Sequence, residues 1–185
     1  MSSKPRSIGL LEFNSIAVGV DTCDVMLKAA FVSLLRAATM CPGKYVVLVY
    51  GDVDAVRAAV RGGRERGGEN VVDHLIIPNV HPSVIPAIAA ATEVQRVEAV
   101  GVIETFSVAS SIVAADLAAK AAEVQLMEVR LANGLGGKSF VTLTGEVAAV
   151  QASVAAGSDH ARHEGLLVKS VVIPSPHEDL KQSLL

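Results

Sequence analysis

The stretch TMCPGKY, residues 39–45, places a cysteine, a proline, a glycine and a lysine between two apolar runs, in a chain with only two cysteines. A thiol held on an exposed turn can ligate a metal or act as a nucleophile, whereas a buried one is inert packing. Pro42 presets φ for the second turn position and Gly43 permits positive φ at the third. Residues 41–44 therefore carry type II turn chemistry, which puts Cys41 at the rim of a hairpin. One thiol is too few for an iron–sulfur cluster, which takes three or four thiolates, unless several chains bring their copies to a symmetry axis. Cys23 lies in a helical pattern and is expected to pack as a small apolar side chain.

Other candidates are weaker. ANGLGGKS, residues 132–139, approaches a phosphate-binding loop, but Ala132 stands at its first glycine position. The SFVTLTG that follows reads as a strand, and a strand cannot aim a helix N-terminus at a phosphate. His160 and His163 share one side of a helix without a third convergent ligand, so a solvated helix end is expected. His81 and His177 each follow a proline-stopped strand, which suggests capping or an interface. Glu12 and Glu104 sit inside apolar strands with no nucleophile or second carboxylate nearby, and are expected to face outward or to bond the backbone. No Ser-His-Asp or Cys-His order stands out, and no enzyme activity is expected.

The elements that must position these residues are written twice. The run from Ile8, IGLLEFNSIAVGVDTCDVMLKAAFVSLL, aligns without a gap on the run from Val100, VGVIETFSVASSIVAADLAAKAAEVQLM. Gly9 meets Gly101, Glu12 meets Glu104, Ser15 meets Ser107, Cys23 meets Ala115, Asp24 meets Asp116 and Lys28 meets Lys120. After a two-residue insertion Gly43-Lys44 meets Gly137-Lys138, and IIPNVHP meets VIPSPHE, pairing His81 with His177. A period of about 90 residues is too long for a solenoid and right for a small domain. Two domains, 1–91 and 92–185, are expected, joined by the Ala-rich PAIAAATEVQR.

Within each copy SIGLLEF reads as a strand. GVDTCDVMLKAA reads as a helix, with Val20, Cys23 and Leu27 on one face and Asp21, Asp24 and Lys28 nearer the other. FVSLLRAATM and KYVVLVY read as a hairpin. Asp52 opens a second helix that ends in glycines, and VVDHLIIP is a last strand stopped by Pro78. The α/β (α+β) order β-α-β-β-α-β is the ferredoxin-like arrangement.

Composition limits the partners. Of 185 residues 51% are hydrophobic and 3% aromatic, so the core is built from small side chains such as Ala and Val. A formal net charge of −3 without a Lys/Arg stripe argues against nucleic acid and anionic lipid. No apolar run approaches the roughly 20 residues that span a bilayer, and no signal-peptide core follows MSSKPRS. A soluble cytoplasmic location is expected.

The motifs DVMLKAA, CPGK, GDVDAV and IIPNVHP, doubled in one chain, closely resemble the bacterial microcompartment shell proteins of the tandem-domain class. That resemblance covers nearly all of residues 7–180. It implies two fused shell (BMC) domains per chain and a homotrimer forming a flat pseudohexamer. The pseudohexamers tile laterally with other shell proteins around metabolic enzymes, including encapsulated redox enzymes. Lys28 and Lys120 are implied to lie at the tile edge with His81 and His177. Asn79 and Ser175 stand where the family commonly has an edge arginine, a departure that alters lateral assembly. The two turns are implied to line the central pore, through Thr39, Met40, Cys41, Pro42 and Gly43 in one and Asn133, Gly134, Leu135, Gly136 and Gly137 in the other. Cys41 then stands where a pore cysteine ligates a [4Fe–4S] cluster, one thiolate from each of three chains. Lys44 and backbone N–H groups would offset the cluster charge, and the cluster would pass electrons, or itself, across the shell. Two alternatives remain at this point: a tile with an open metabolite pore and no metal, and a soluble ferredoxin-like trimer binding a small effector.

Overall fold

The computed structural model describes residues 7–184 and divides them between Val80 and His81. The first unit contains β1 (Ser7–Phe13), α1 (Ile16–Ala29), β2 (Ser33–Met40), β3 (Lys44–Gly51), α2 (Val53–Gly67) and β4 (Val71–Pro78). The second contains α3 (Val84–Ile88), β5 (Ala99–Thr105), α4 (Val108–Ala121), β6 (Gln125–Arg130), β7 (Ser139–Gly145), α5 (Val147–His163), β8 (Leu167–Ile173) and α6 (Glu178–Ser183). The expected β-α-β-β-α-β order is therefore present in both copies. The two antiparallel sheets run β2-β3-β1-β4 and β6-β7-β5-β8, with the first strand of each copy between its third and fourth.

The matched residues explain why the copies fold alike. Ser15 caps α1 by accepting from the Val18 N–H at 3.4 Å, and Ser107 caps α4 by accepting from the Ser110 N–H at 3.3 Å. Gly9 and Gly101 are places of close approach. A Cβ on Gly9 would meet Val60 of α2 at 2.6 Å, and one on Gly101 would meet Val154 of α5 at 2.5 Å. One face of the first sheet packs Leu11, Phe13, Val47 and Val49 against Cys23 and Met26 of α1 and Val56, Ala59 and Val60 of α2.

Two expectations are corrected. The domain division expected at 91/92 falls earlier, because the start of the presumed linker, residues 86–88, belongs to α3, which packs on α4 and β6 of the second unit. The α1 face holding Val20 and Leu27 is not the buried one; Gly19, Thr22, Cys23 and Met26 turn inward, leaving Val20 53% exposed. Gly43 takes the positive φ (+73°) expected of it, and the Cys41–Pro42 peptide is cis.

Candidate functional site

Met40 pairs with Lys44 across the β2–β3 hairpin, so Cys41, Pro42 and Gly43 form its three-residue tip. Cys41 is half-buried, while Thr39, Pro42 and Gly43 are exposed. Met40, the last residue of β2, is 3% exposed, the one buried side chain of that strand.

The corresponding loop between β6 and β7 is longer and needs more conformational freedom. Gly134, Gly136 and Gly137 all have positive φ (73°, 62° and 89°), which glycine adopts without steric cost. The Ala132 N–H donates to Ser139 Oγ at 3.1 Å and the Lys138 N–H to the Leu135 carbonyl at 3.2 Å, closing the loop. Asn133, Gly134 and Gly136 are exposed, with Leu135 and Gly137 partly covered. Ser139 begins strand β7, so no helix follows the glycines and the phosphate-loop geometry is not built.

Each hairpin is anchored at its base by an ion pair. Lys44 Nζ bonds Glu12 Oε1 at 2.5 Å, and Lys138 Nζ bonds Glu104 Oε1 at 2.6 Å. The Glu12 side chain is only 6% exposed, so it is neither outward-facing nor bonded to backbone as expected. Burying a carboxylate is tolerable when a cation meets it, and Lys44 is that cation. Lys44 is therefore engaged within the chain and is not a free counter-charge for a ligand of Cys41. Sequence reasoning noted each glutamate and each lysine but missed their pairing. The available signal was two opposite charges kept together through the duplication.

The residues expected at a tile edge also fall into related sets. Asp24 pairs with Lys28 at 2.5 Å and Asp116 with Lys120 at 2.6 Å, each one helical turn apart. The His81 backbone N–H donates to Asp116 Oδ1 at 2.7 Å, and its ring Nδ1 lies 2.7 Å from Ser83 Oγ and accepts from the Ser83 N–H. His177 N-caps α6, its Nδ1 accepting from the Asp179 N–H at 3.3 Å, which is the expected capping role. Asn79 has φ +53°, a left-handed conformation that asparagine tolerates better than most side chains, and Ser175 is exposed. His160 and His163 lie in the last turn of α5 beside Glu164 and Asp159, the solvated helix end expected.

The two thiols differ. Burial raises the Cys23 pKa, and the Asp24 charge adds to that rise, so its reactive thiolate is suppressed. It packs in the core as expected. No group of three or more His, Cys, Asp or Glu side chains converges among the described residues. Cys41 can thus contribute one ligand per chain, and a cluster there would need thiolates from other copies.

Comparison with known proteins agrees with this architecture. The BMC domain matches residues 7–80 and again residues 99–176. The bacterial microcompartment shell protein PduT of Citrobacter freundii is 44% identical over 97% of this chain and 98% of its own. The carboxysome assembly protein CcmO of Synechococcus elongatus is 30% identical over 98% of this chain and 71% of its own. The crystal structure of a microcompartments protein from Desulfitobacterium hafniense DCB is 57% identical, with TM-score 0.93 over 96% of this chain and 98% of that one. Two consecutive domain matches, the two sheets they coincide with and these near full-length likenesses show that the chain belongs to the BMC-domain family of bacterial microcompartment shell proteins.

Proposed function

We propose that the chain is a structural tile of a microcompartment shell, that three copies close into a pseudohexameric ring, and that the three Cys41 thiolates hold one [4Fe–4S] cluster at its centre. The observation that carries this reading is Cys41 itself, accessible on a hairpin tip whose duplicate has a glycine-rich loop and no thiol. The fold does not need a cysteine there. Internal duplication multiplied by threefold symmetry gives six similar domains around one axis, the arrangement that brings one loop per chain together.

The residues present fit such a group only as an assembly. Cys41 supplies the thiolate, and Pro42 and Gly43 leave little side-chain bulk at the tip. The Lys44–Glu12 pair fixes the hairpin base from within the chain. Three cysteines would leave one iron to an exchangeable ligand, which suits electron or cluster transfer across the shell. Lateral contacts with other shell proteins and delivery to enclosed redox enzymes complete the role.

Protein reconstituted anaerobically with iron and sulfide is expected to turn brown, show an iron–sulfur EPR signal after reduction, and carry about four irons per three chains. Cys23→Ser should retain the colour and Cys41→Ser should lose it. A colourless wild type, or a Cys41→Ser protein that binds iron equally well, overturns the cluster and leaves a tile with a metal-free pore.

A further inference from the structure

Duplication lets α2 be compared with α5 at positions that the fold treats alike. Val56 and Val60 of α2 close on Gly9 as Val150 and Val154 of α5 close on Gly101, which fixes the register between the two helices. In that register Arg57, Arg61 and Arg64 correspond to Gln151, Ala155 and Ser158. The side that packs on the sheet is kept, and the outer side is rewritten. All three arginines are exposed. Their spacing, four residues and then three, puts them on one stripe about 10 Å long.

Like charges at this spacing repel, so the stripe costs helix stability unless an anion offsets it. Arg66, beside the stripe, pairs with Asp21 at 2.6 Å, whereas Arg57, Arg61 and Arg64 enter no ion pair among the described residues. The helix macrodipole accounts for a cation in the last turn, which suits Arg64, but Arg57 and Arg61 lie further back. A merely solvated basic face needs no cavity beside it, and here there is one. The stripe and edge strand β4 border a groove of about 700 Å³, lined by Val60, Val71, Val72 and Ile76, with His74 on the strand side. Two carboxylates, Glu65 and Asp73, also border it, and Asp73 Oδ1 already accepts the His74 N–H at 2.8 Å. The residue of β8 at the place of His74 is Ser170.

We propose that this groove binds an organic diphosphate of the nucleoside diphosphate class, its phosphates on Arg57, Arg61 and Arg64 and its sugar and base against the aliphatic side chains. Three guanidinium groups match an anion with two or more phosphates, because each makes forked, charge-assisted bonds to phosphate oxygens. The volume is that of a small-molecule site. The aliphatic lining and the shortness of the stripe favour such a ligand over an acidic protein segment. All the lining residues belong to the first unit, so the site requires neither the ring nor the cluster. It gives the first copy a ligand that the second, without the three arginines, does not take.

Equilibrium titration of the full chain with ADP at low ionic strength tests the site. ADP should bind once per chain, inorganic pyrophosphate should compete, and AMP should bind about tenfold more weakly for want of one phosphate. Arg57→Gln, Arg61→Ala and Arg64→Ser, the side chains α5 already carries, should each weaken ADP about tenfold by loss of a charge-assisted bond, and together abolish binding. ADP should also raise the denaturation midpoint of the natural chain and leave that of the triple variant unmoved. A natural chain that takes no ADP, a triple variant that takes it equally well, or an oligoglutamate peptide that binds more tightly than ADP overturns the proposal.

Discussion

Lys44 and Lys138 each reach a glutamate on the first strand of their own unit, yet the two pairs sit in different surroundings. Glu12 is buried and Glu104 is partly exposed, so the two lysines matter unequally. Lys44→Ala leaves a buried carboxylate without its cation and should destabilise the first unit by about 1–3 kcal/mol in denaturant titration. Lys138→Ala should cost visibly less, because water can solvate Glu104. Adding Glu12→Gln to Lys44→Ala should recover part of the loss. Between the thiols the contrast is sharper. Burial and the Asp24 charge hold Cys23 in its protonated form to higher pH than a free thiol. In metal-free protein a thiol reagent should therefore label Cys41 first, and Cys23 only on unfolding. Equal labelling of both would contradict the packing described. The role of Cys23 was legible because its twin is Ala115, a position that asks only for a small apolar side chain. The fate of Glu12 was not, because a charge within an apolar strand does not reveal which distant residue meets it.

At the scale of elements, the alanine-rich composition follows from how closely the helices lie. A Cβ on Gly157 of α5 would stand 2.6 Å from the Ala114 carbonyl oxygen of α4. That neighbour is backbone and cannot swing aside. Gly157→Ala should therefore push α4 and α5 apart and cost about 1–3 kcal/mol, seen as a lower denaturation midpoint. An unchanged midpoint would mean that the helices are less tightly packed than described. The strands and both long helices of each copy were legible, since capping serines, glycine stops and apolar runs recur at matched positions. The orientation of α1 was not. Periodicity identifies residues that share a face, but Val20 and Leu27 share theirs without turning it to the chain's own core. The start of the linker was not legible for a related reason: PAIAAATEVQR looks like a spacer throughout until its first residues are seen in α3, seated on α4 and β6.

For the whole molecule, one doubled motif produces two units of the same topology that differ in their loops and in the cover over α1 and α4. No helix among the described residues is long and apolar enough to cross a membrane. The family was legible from CPGK and its companion motifs at matched spacing. The site was legible only as a position, because one Cys41 per chain acquires further ligands only if chains assemble. Native mass spectrometry of the anaerobically reconstituted protein tests that claim most directly. The account predicts a dominant species of three chains carrying the mass of one [4Fe–4S] cluster, reduced to three bare chains by Cys41→Ser. A trimer without added mass, or a cluster carried by a single chain, would contradict it.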